Sequence, residues 1–204
     1  SYSVTGVQTC ALPIYRTVCG SNLKQIFLAT NVYTADFDGF FPAADDPMPN
    51  GLKLWMGRGF RNFIKPYLDN SNGKTAILAC GQDNHSPDKY EGTSYGYSMC
   101  FYLSPEQVNT CTSYEDVWKK AFACTKQKST AVKYSSQKAI YAEWYSNHDA
   151  VENDGGWWCN AGTRNMVFAD GHGDFIKAAN IITANDGLAD INATVNGIAG
   201  KDIN

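Results

Sequence analysis

The stretch TRNMVFADGHGDFIKAA, from Thr163 to Ala179, decides the fold class of this chain. Two short apolar runs, Asn165 to Ala169 and Asp174 to Ala178, flank the dipeptide Asp170-Gly171. Such a dipeptide accepts the positive backbone angles that a tight turn needs, so the stretch predicts an antiparallel β-hairpin.

Further strands and an insertion are expected upstream of this hairpin. The aromatic-rich run Thr93 to Ser104 and the run Gln137 to Tyr145 both have the composition of strands. Between them, Pro105 to Lys133 indicates an inserted helix and loop, which a Cys111–Cys124 bridge could close. Residues 179–204 are polar and rich in small side chains, which predicts a surface extension with little core of its own.

Two helices are expected ahead of the sheet. Apolar and small side chains recur at helical spacing between Tyr15 and Thr34, and this pattern predicts an amphipathic helix over 15–36. The residues that form its apolar stripe are Cys19, Leu23, Ile26, Phe27, Thr30 and Tyr33. Leu52 to Leu68 has a looser helical period that Pro66 limits, so a second short helix is expected. One helix on an antiparallel sheet with short inserted helices is an α+β architecture.

The first 14 residues fit no element. Val4 to Ile14, VTGVQTCALPI, lacks the charge and length of a signal peptide, and Gly6 and Pro13 bracket too little chain for a helix. The stretch looks like the translation of a common sequencing adapter. Residues 1–14 are therefore expected to be a non-native, disordered scar, with the gene itself starting at about Tyr15.

Charge and cysteine content limit the function and the compartment of this protein. The net charge of −3 predicts no attraction to nucleic acid. There are 7 cysteines, and without Cys10 the set is even, which favours an oxidising compartment and leaves many connectivities open. Thiols that are simply buried remain the alternative for some of them.

Four stretches of this chain resemble the type II secretion pseudopilins and type IV pilin-like proteins, in particular the group with a His nine residues ahead of Asp-Gly. The four stretches are CGSNLKQIFLATNVYTADFDGFFP, PYL with ILACGQDN, TSYGYS and NAGTRNMVFADGHGDF. The family's signature residues fall here on Asn165, Asp170, Gly171 and His172. The signature His itself is replaced by Asn160, which puts imidazole chemistry at this position in doubt.

The resemblance implies a pilin-like fold and a structural role. It implies that 15–36 is the C-terminal half of a longer helix whose first half spans the inner membrane, and that 37–178 is the globular head. Cys19 and Cys80 fall at frequent family cysteines, which implies a bridge between them. The implied partners are other pilin subunits, the assembly platform and prepilin peptidase. The implied location is the cell envelope with a periplasmic or extracellular head, although the chain as printed is expected to be soluble.

No motif favours an enzyme. The histidines His85, His148 and His172 lack metal-ligand spacing, and neither a nucleophile elbow nor a phosphate-binding loop occurs. Glu143 and Asp170 could form a carboxylate pair, but the sequence does not place them together. No cofactor is expected.

A structural calcium ion is a weaker hypothesis for the acidic stretch after the first helix. It rests on Asp36, Asp38, Asp45 and Asp46, although their order does not match a hand-type calcium loop.

A second function stays open beside the filament subunit. Trp144, Tyr145, Trp157 and Trp158 form a candidate aromatic patch, because sugar faces stack on aromatic rings. This patch would make the protein an envelope-anchored glycan- or peptide-binding module. Packing in the core or at a subunit contact is the simpler interpretation of the same residues.

Overall fold

A long helix packed on a four-stranded antiparallel sheet forms the body of the protein. The computed structural model describes residues 8–43, 57–68, 76–84, 93–149, 151, 154–156 and 160–204. Helix α1 spans Gln8–Asp36 and helix α2 spans Gly57–Ile64. The strands are β1 (Tyr95–Tyr97), β2 (Ala139–Glu143), β3 (Thr163–Phe168) and β4 (Gly173–Lys177). The α+β architecture is therefore confirmed.

The sheet follows chain order, β1-β2-β3-β4, and each neighbouring pair is antiparallel. The hairpin predicted from Asp170-Gly171 is β3 and β4, in which Asn165 lies opposite Phe175. The predicted strand over Gln137 to Tyr145 is β2. The strand predicted over Thr93 to Ser104 is shorter, because the Ser98 side chain accepts a hydrogen bond from the Cys100 amide and starts a 3-10 turn.

One face of α1 lies on the sheet, with Leu23, Ile26 and Phe27 buried. The buried Thr30 hydroxyl also meets the Tyr141 hydroxyl of β2 at 2.7 Å. The helical spacing of these residues therefore predicted the packed face correctly. Helix α2 continues as a 3-10 turn over Lys65–Tyr67, and the buried Phe60 ring reaches Tyr141 with 5.2 Å between centroids.

The expectation that residues 1–14 form no element is wrong for 8–14. Helix α1 already begins at Gln8 and runs through Pro13. A proline lacks one backbone donor, so within a helix it removes the hydrogen bond to the carbonyl four residues earlier. Here that carbonyl belongs to the first turn of α1, so only one hydrogen bond near the start of the helix is lost. The later turns of α1 are stabilised by packing on the sheet.

The insertion between β1 and β2 contains two short helices, α3 (Pro105–Asn109) and α4 (Tyr114–Lys119). Ser104 and Gln107 form a capping box at the start of α3, because each side chain bonds the other's backbone amide. The proposed Cys111–Cys124 bridge is wrong: both residues are thiols, as is Cys100. Cys159 lies outside the described residues.

The prediction for residues 179–204 is also wrong. This C-terminal segment contributes Ile181, Ile191 and Ile198 to the hydrophobic core. Its Asp202 carboxylate is buried against Lys138 Nζ at 3.0 Å and accepts a bond from the Ala139 amide at 2.8 Å. Small and polar residues can be core residues when their hydrogen bonds are satisfied within the protein, which composition alone does not reveal.

Candidate functional site

The inner face of α1 is covalently joined to the body at Cys19. Cys19 forms a disulfide with Cys80, with 5.4 Å between their Cα atoms. Cys80 follows a 3-10 turn at Ala76–Leu78, and its amide donates to the Ser94 hydroxyl at 2.8 Å. This is the disulfide that the resemblance implies, and it connects residues 61 positions apart.

Two ionisable side chains lie directly against this disulfide. The Nε2 atom of His148 lies 3.6 Å from Cys80 Sγ and 2.9 Å from Glu143 Oε1. Glu143 ends β2, and His148 lies in the turn that follows it. All four residues are buried. We call Cys19, Cys80, Glu143 and His148 the buried quartet.

Asn165 of β3 fixes the carboxylate of Glu143. The amide of Asn165 donates to Glu143 Oε2 at 2.8 Å, and its side-chain Nδ2 donates to the same oxygen at 3.1 Å. Nδ2 also reaches the carbonyl of Arg16 on α1 at 3.2 Å. The other carboxylate oxygen, Oε1, consequently faces His148. Asn165 thus links helix α1, strand β2 and the quartet.

The quartet was not predicted from the sequence. Cys19, Cys80 and the Glu143–His148 pair are far apart in the chain, and they contain neither a CxxC pair nor a histidine and a cysteine at metal-ligand spacing. In the described part of the chain it is the one group of three or more side chains whose ligand atoms could share a metal ion, with all four atoms within 4.8 Å of one another. Glu143 contacts His148 and Asn165, whereas Asp170 contacts His172. The only local signal was a Glu and a His five residues apart at a strand end.

An open groove passes beside the quartet. It has a volume of about 550 Å³ and runs between α1 and the β3–β4 hairpin. Gly20, Lys24 and Asn165 are among the residues that line it. Asn165, which lines the groove, is also the residue that contacts Glu143 of the quartet.

The Asp170-Gly171-His172 turn docks on α1. Gly171 has a φ of +88°, and a Cβ at this position would lie 2.5 Å from the Phe27 ring. Asp170 Oδ1 accepts from the His172 amide at 3.0 Å and contacts its Nδ1 at 2.6 Å. Partial burial opposes ionisation, but the hydrogen bonds from His172 lower the pKa of Asp170. The His172 imidazole stacks on the Phe168 ring with 4.4 Å between centroids. The residues of this turn therefore serve to pack the hairpin against its neighbours.

Two members of the candidate aromatic patch are core residues, as the simpler interpretation of these residues predicted. Trp144 is fully buried and Tyr145 nearly so, and a ring without exposed faces cannot stack on a sugar. Trp157 and Trp158 lie outside the described residues. Asn160, at the position of the signature His, is exposed.

The acidic loop is described only in part. Asp36 accepts a hydrogen bond from the Tyr67 hydroxyl at 2.8 Å. Asp38 has a φ of 53° in the turn that ends α1. Asp45, Asp46 and His85 lie outside the described residues, so the calcium hypothesis stays a prediction.

Helix α1 has a second apolar stripe, on its exposed face, that was not predicted from the sequence. Ile14, Val18, Leu28 and Val32 face solvent with 62%, 48%, 60% and 51% of their surfaces exposed. With Ser21 and Gln25 between them, their positions repeat at alternating steps of four and three residues and cover an arc of about 80°. We call this the outer stripe.

No protein-family model, curated protein or solved structure matches this chain. Among the helices that the structure describes, none combines the length and the apolar character needed to cross a membrane. The residues themselves must therefore carry the functional argument.

Proposed function

We propose that the protein is a structural subunit of a type II secretion or type IV pilus-like filament and that it contacts its neighbours through the outer stripe of α1. In this proposal the helices pack side by side while the sheet and its loops form a head that faces outward. The role is mechanical and needs no bound cofactor.

The outer stripe is the observation that carries this proposal. Scattered exposed apolar side chains are ordinary, but a row of them on one helix face is the pattern by which helices pack together. Without Ile14, which belongs to the expected adapter scar, the row from Val18 to Val32 is about 21 Å long at the rise of an α-helix. Ser21 and Gln25 in its middle add hydrogen-bonding groups, which can set the register between neighbouring helices.

The attachments of the inner face of α1 support a role in transmitting force. The Cys19–Cys80 disulfide, the Asn165 bond to the Arg16 carbonyl and the Phe27–Gly171 contact hold α1 at separate points. A helix held in this way transmits a force at its outer face to the whole head. Repeated contacts of this kind that do not close on themselves generate an open filament.

The proposal includes the partners and location that the resemblance implies. The subunit would enter the inner membrane through a segment ahead of Tyr15, be cleaved by prepilin peptidase, and be polymerised by the assembly platform. Its head would lie in the periplasm or outside the cell.

Sequencing the native DNA upstream of the Tyr15 codon tests this membership. The expected result is a basic leader, a glycine at the cleavage site and roughly 20 apolar residues that run into Arg16. A conventional cleavable signal peptide at this place would contradict the proposal, as would VTGVQTCALPI encoded in unamplified genomic DNA.

A further inference from the structure

We propose that the buried quartet is a redox-gated zinc site: when the Cys19–Cys80 disulfide is reduced, Cys19, Cys80, Glu143 and His148 bind one Zn²⁺. This inference concerns the attachment of α1 to the head and does not depend on filament assembly.

The donor atoms are already close to the required arrangement. Tetrahedral zinc with bonds of about 2.0–2.3 Å places its ligand atoms about 3.3–3.8 Å apart. Cys80 Sγ and His148 Nε2 are separated by 3.6 Å, and His148 Nε2 and Glu143 Oε1 by 2.9 Å. Once the sulfur–sulfur bond is broken, the two sulfur atoms can move apart by side-chain rotation. The four ligand atoms already lie within 4.8 Å of one another.

The identity of the donors favours zinc over other common ions. Two thiolates and an imidazole are soft and borderline ligands, whereas calcium and magnesium take oxygen ligands almost exclusively. A carboxylate completes a four-ligand set of the kind that closes a structural zinc site. The two thiolates neutralise the ion's charge, and the carboxylate leaves the site with a net charge of −1, which the hydrogen bonds from Asn165 to Glu143 partly offset.

The carboxylate is held ready by groups outside the quartet. Two hydrogen bonds from Asn165 occupy Glu143 Oε2 and leave Oε1 directed at His148. Metal sites depend on such outer hydrogen bonds to orient their ligands. Asn165 is therefore a positioning residue for the proposed zinc site.

The gating step is a thiol–disulfide exchange with a dithiol reductant. The dithiol gives two electrons and two protons to the Cys19–Cys80 bond, which becomes two thiols while the dithiol becomes a disulfide. Zinc then replaces the two thiol protons, which are released to solvent. Either the sulfur–sulfur bond or the metal thus ties α1 to the head.

Zinc titration of the oxidised and reduced chain tests the proposal. The purified chain is divided, one half is reduced with excess dithiol, and the dithiol is removed under anaerobic conditions. We expect the reduced chain to retain one Zn²⁺ per molecule after gel filtration and the oxidised chain to retain none. Cobalt in place of zinc should give the absorption of a tetrahedral thiolate site. Equal binding by both forms, or no binding by the reduced form, would overturn the proposal.

Matched variants separate this site from adventitious binding by other thiols and histidines. His148→Gln should weaken zinc binding at least roughly tenfold, and Asn165→Ala roughly 10–100-fold. His172→Gln and Cys124→Ser, which alter the same residue types elsewhere, should bind as the unaltered chain does. Because His148→Gln keeps the disulfide, its fold can be verified by circular dichroism before reduction. Zinc affinity that is equal in His148→Gln and His172→Gln would reject the assigned ligands.

Discussion

Helix α1 and the C-terminal segment both belong to the core, but they are held there by different forces. Helix α1 contributes a continuous row of apolar side chains, among them Leu23 and Phe27, and one disulfide. The C-terminal segment contributes small side chains and a buried ion pair, Asp202 with Lys138. Helix α1 also keeps a second apolar face toward solvent.

This difference shows what a residue pattern can reveal. A helix that buries one face repeats its apolar residues with the helical period, so the contact is visible in the sequence. A segment held by individual hydrogen bonds has no period, because each partner lies wherever the fold places it. Burial opposes the charge of Lys138, but the Asp202 carboxylate next to it raises the pKa of that amine.

Breaking the buried ion pair should have the largest effect on stability. Asp202→Ala leaves the Lys138 ammonium buried without its counter-charge, which costs about 3–5 kcal/mol of unfolding free energy. Glu115→Ala is the matched control, because Glu115 pairs with Lys119 at 2.8 Å on the surface. Its expected cost is about 0.5 kcal/mol or less. Urea denaturation of both variants measures this, and equal losses would show that the segment is not anchored by its charge pair.

The two faces of α1 are compared by the same substitution at Leu23 and Leu28. Leu23 is fully buried and Leu28 is 60% exposed. Leu23→Ala should cost about 3 kcal/mol, because it leaves a cavity against the sheet. Leu28→Ala should change the stability of the isolated chain by less than about 0.5 kcal/mol. Thermal and denaturant unfolding check both values, and a large loss in Leu28→Ala would mean that the outer stripe packs within the same molecule.

The docking of the hairpin turn on α1 should have a smaller effect. Gly171 and Gly187 both have positive φ, but only at Gly171 would a Cβ meet another residue, the Phe27 ring. Gly171→Ala should therefore lower the unfolding free energy by about 1–3 kcal/mol more than Gly187→Ala, since backbone strain is common to both. Denaturant unfolding of the two variants gives this difference directly. Equal losses of stability in the two variants would show that the turn is not packed tightly against α1.

A dependence on pH is also expected in the C-terminal segment. Burial, reinforced by the neighbouring Asp186, raises the pKa of Asp190 to about 7. Between about pH 4 and pH 7, the folded chain therefore keeps a proton on Asp190 that the unfolded chain has released. The contribution of this group to stability is fully present below about pH 4. It is lost as the pH rises through the folded-state pKa of about 7.

Asp190→Asn isolates this contribution, because its side-chain oxygen can still accept from the Asn192 amide as Asp190 Oδ1 does at 2.8 Å. The stability of the variant relative to the unaltered chain should rise from about pH 4 to the pKa of about 7 and level off above it. Denaturant unfolding at each pH measures the difference. A difference that stays constant with pH would mean that Asp190 titrates in its ordinary range.

The parts of the fold that sequence could predict are those with local signals. Asp170-Gly171 and its flanking runs located the hairpin, and the spacing of Leu23, Ile26 and Phe27 located the packed face of α1. The segments that were mispredicted depend on contacts between distant residues. Lys138 and Asp202 are 64 positions apart, and neither looks like a core residue alone.

The candidate site was predictable only where a family resemblance supplied the pairing. Cys19 and Cys80 were paired through the resemblance, whereas Glu143 and His148 were not associated with them. The end of β2 brings these two side chains to the disulfide, so their meeting depends on strand register. The outer stripe was missed for another reason: polar residues Ser21 and Gln25 interrupt it, and one apolar face had already been assigned.

Recovery of filaments from cells shows whether the outer stripe forms the contact between subunits. The native gene would carry Leu28→Asp on the outer stripe or, as a matched control, Asn31→Asp, which adds the same charge at another exposed position of α1. Filaments sheared from the cells would be compared at equal cellular levels of the subunit. We expect Leu28→Asp to remove the protein from the sheared fraction and Asn31→Asp to leave it there. Equal recovery of the two variants would contradict a subunit contact through the outer stripe.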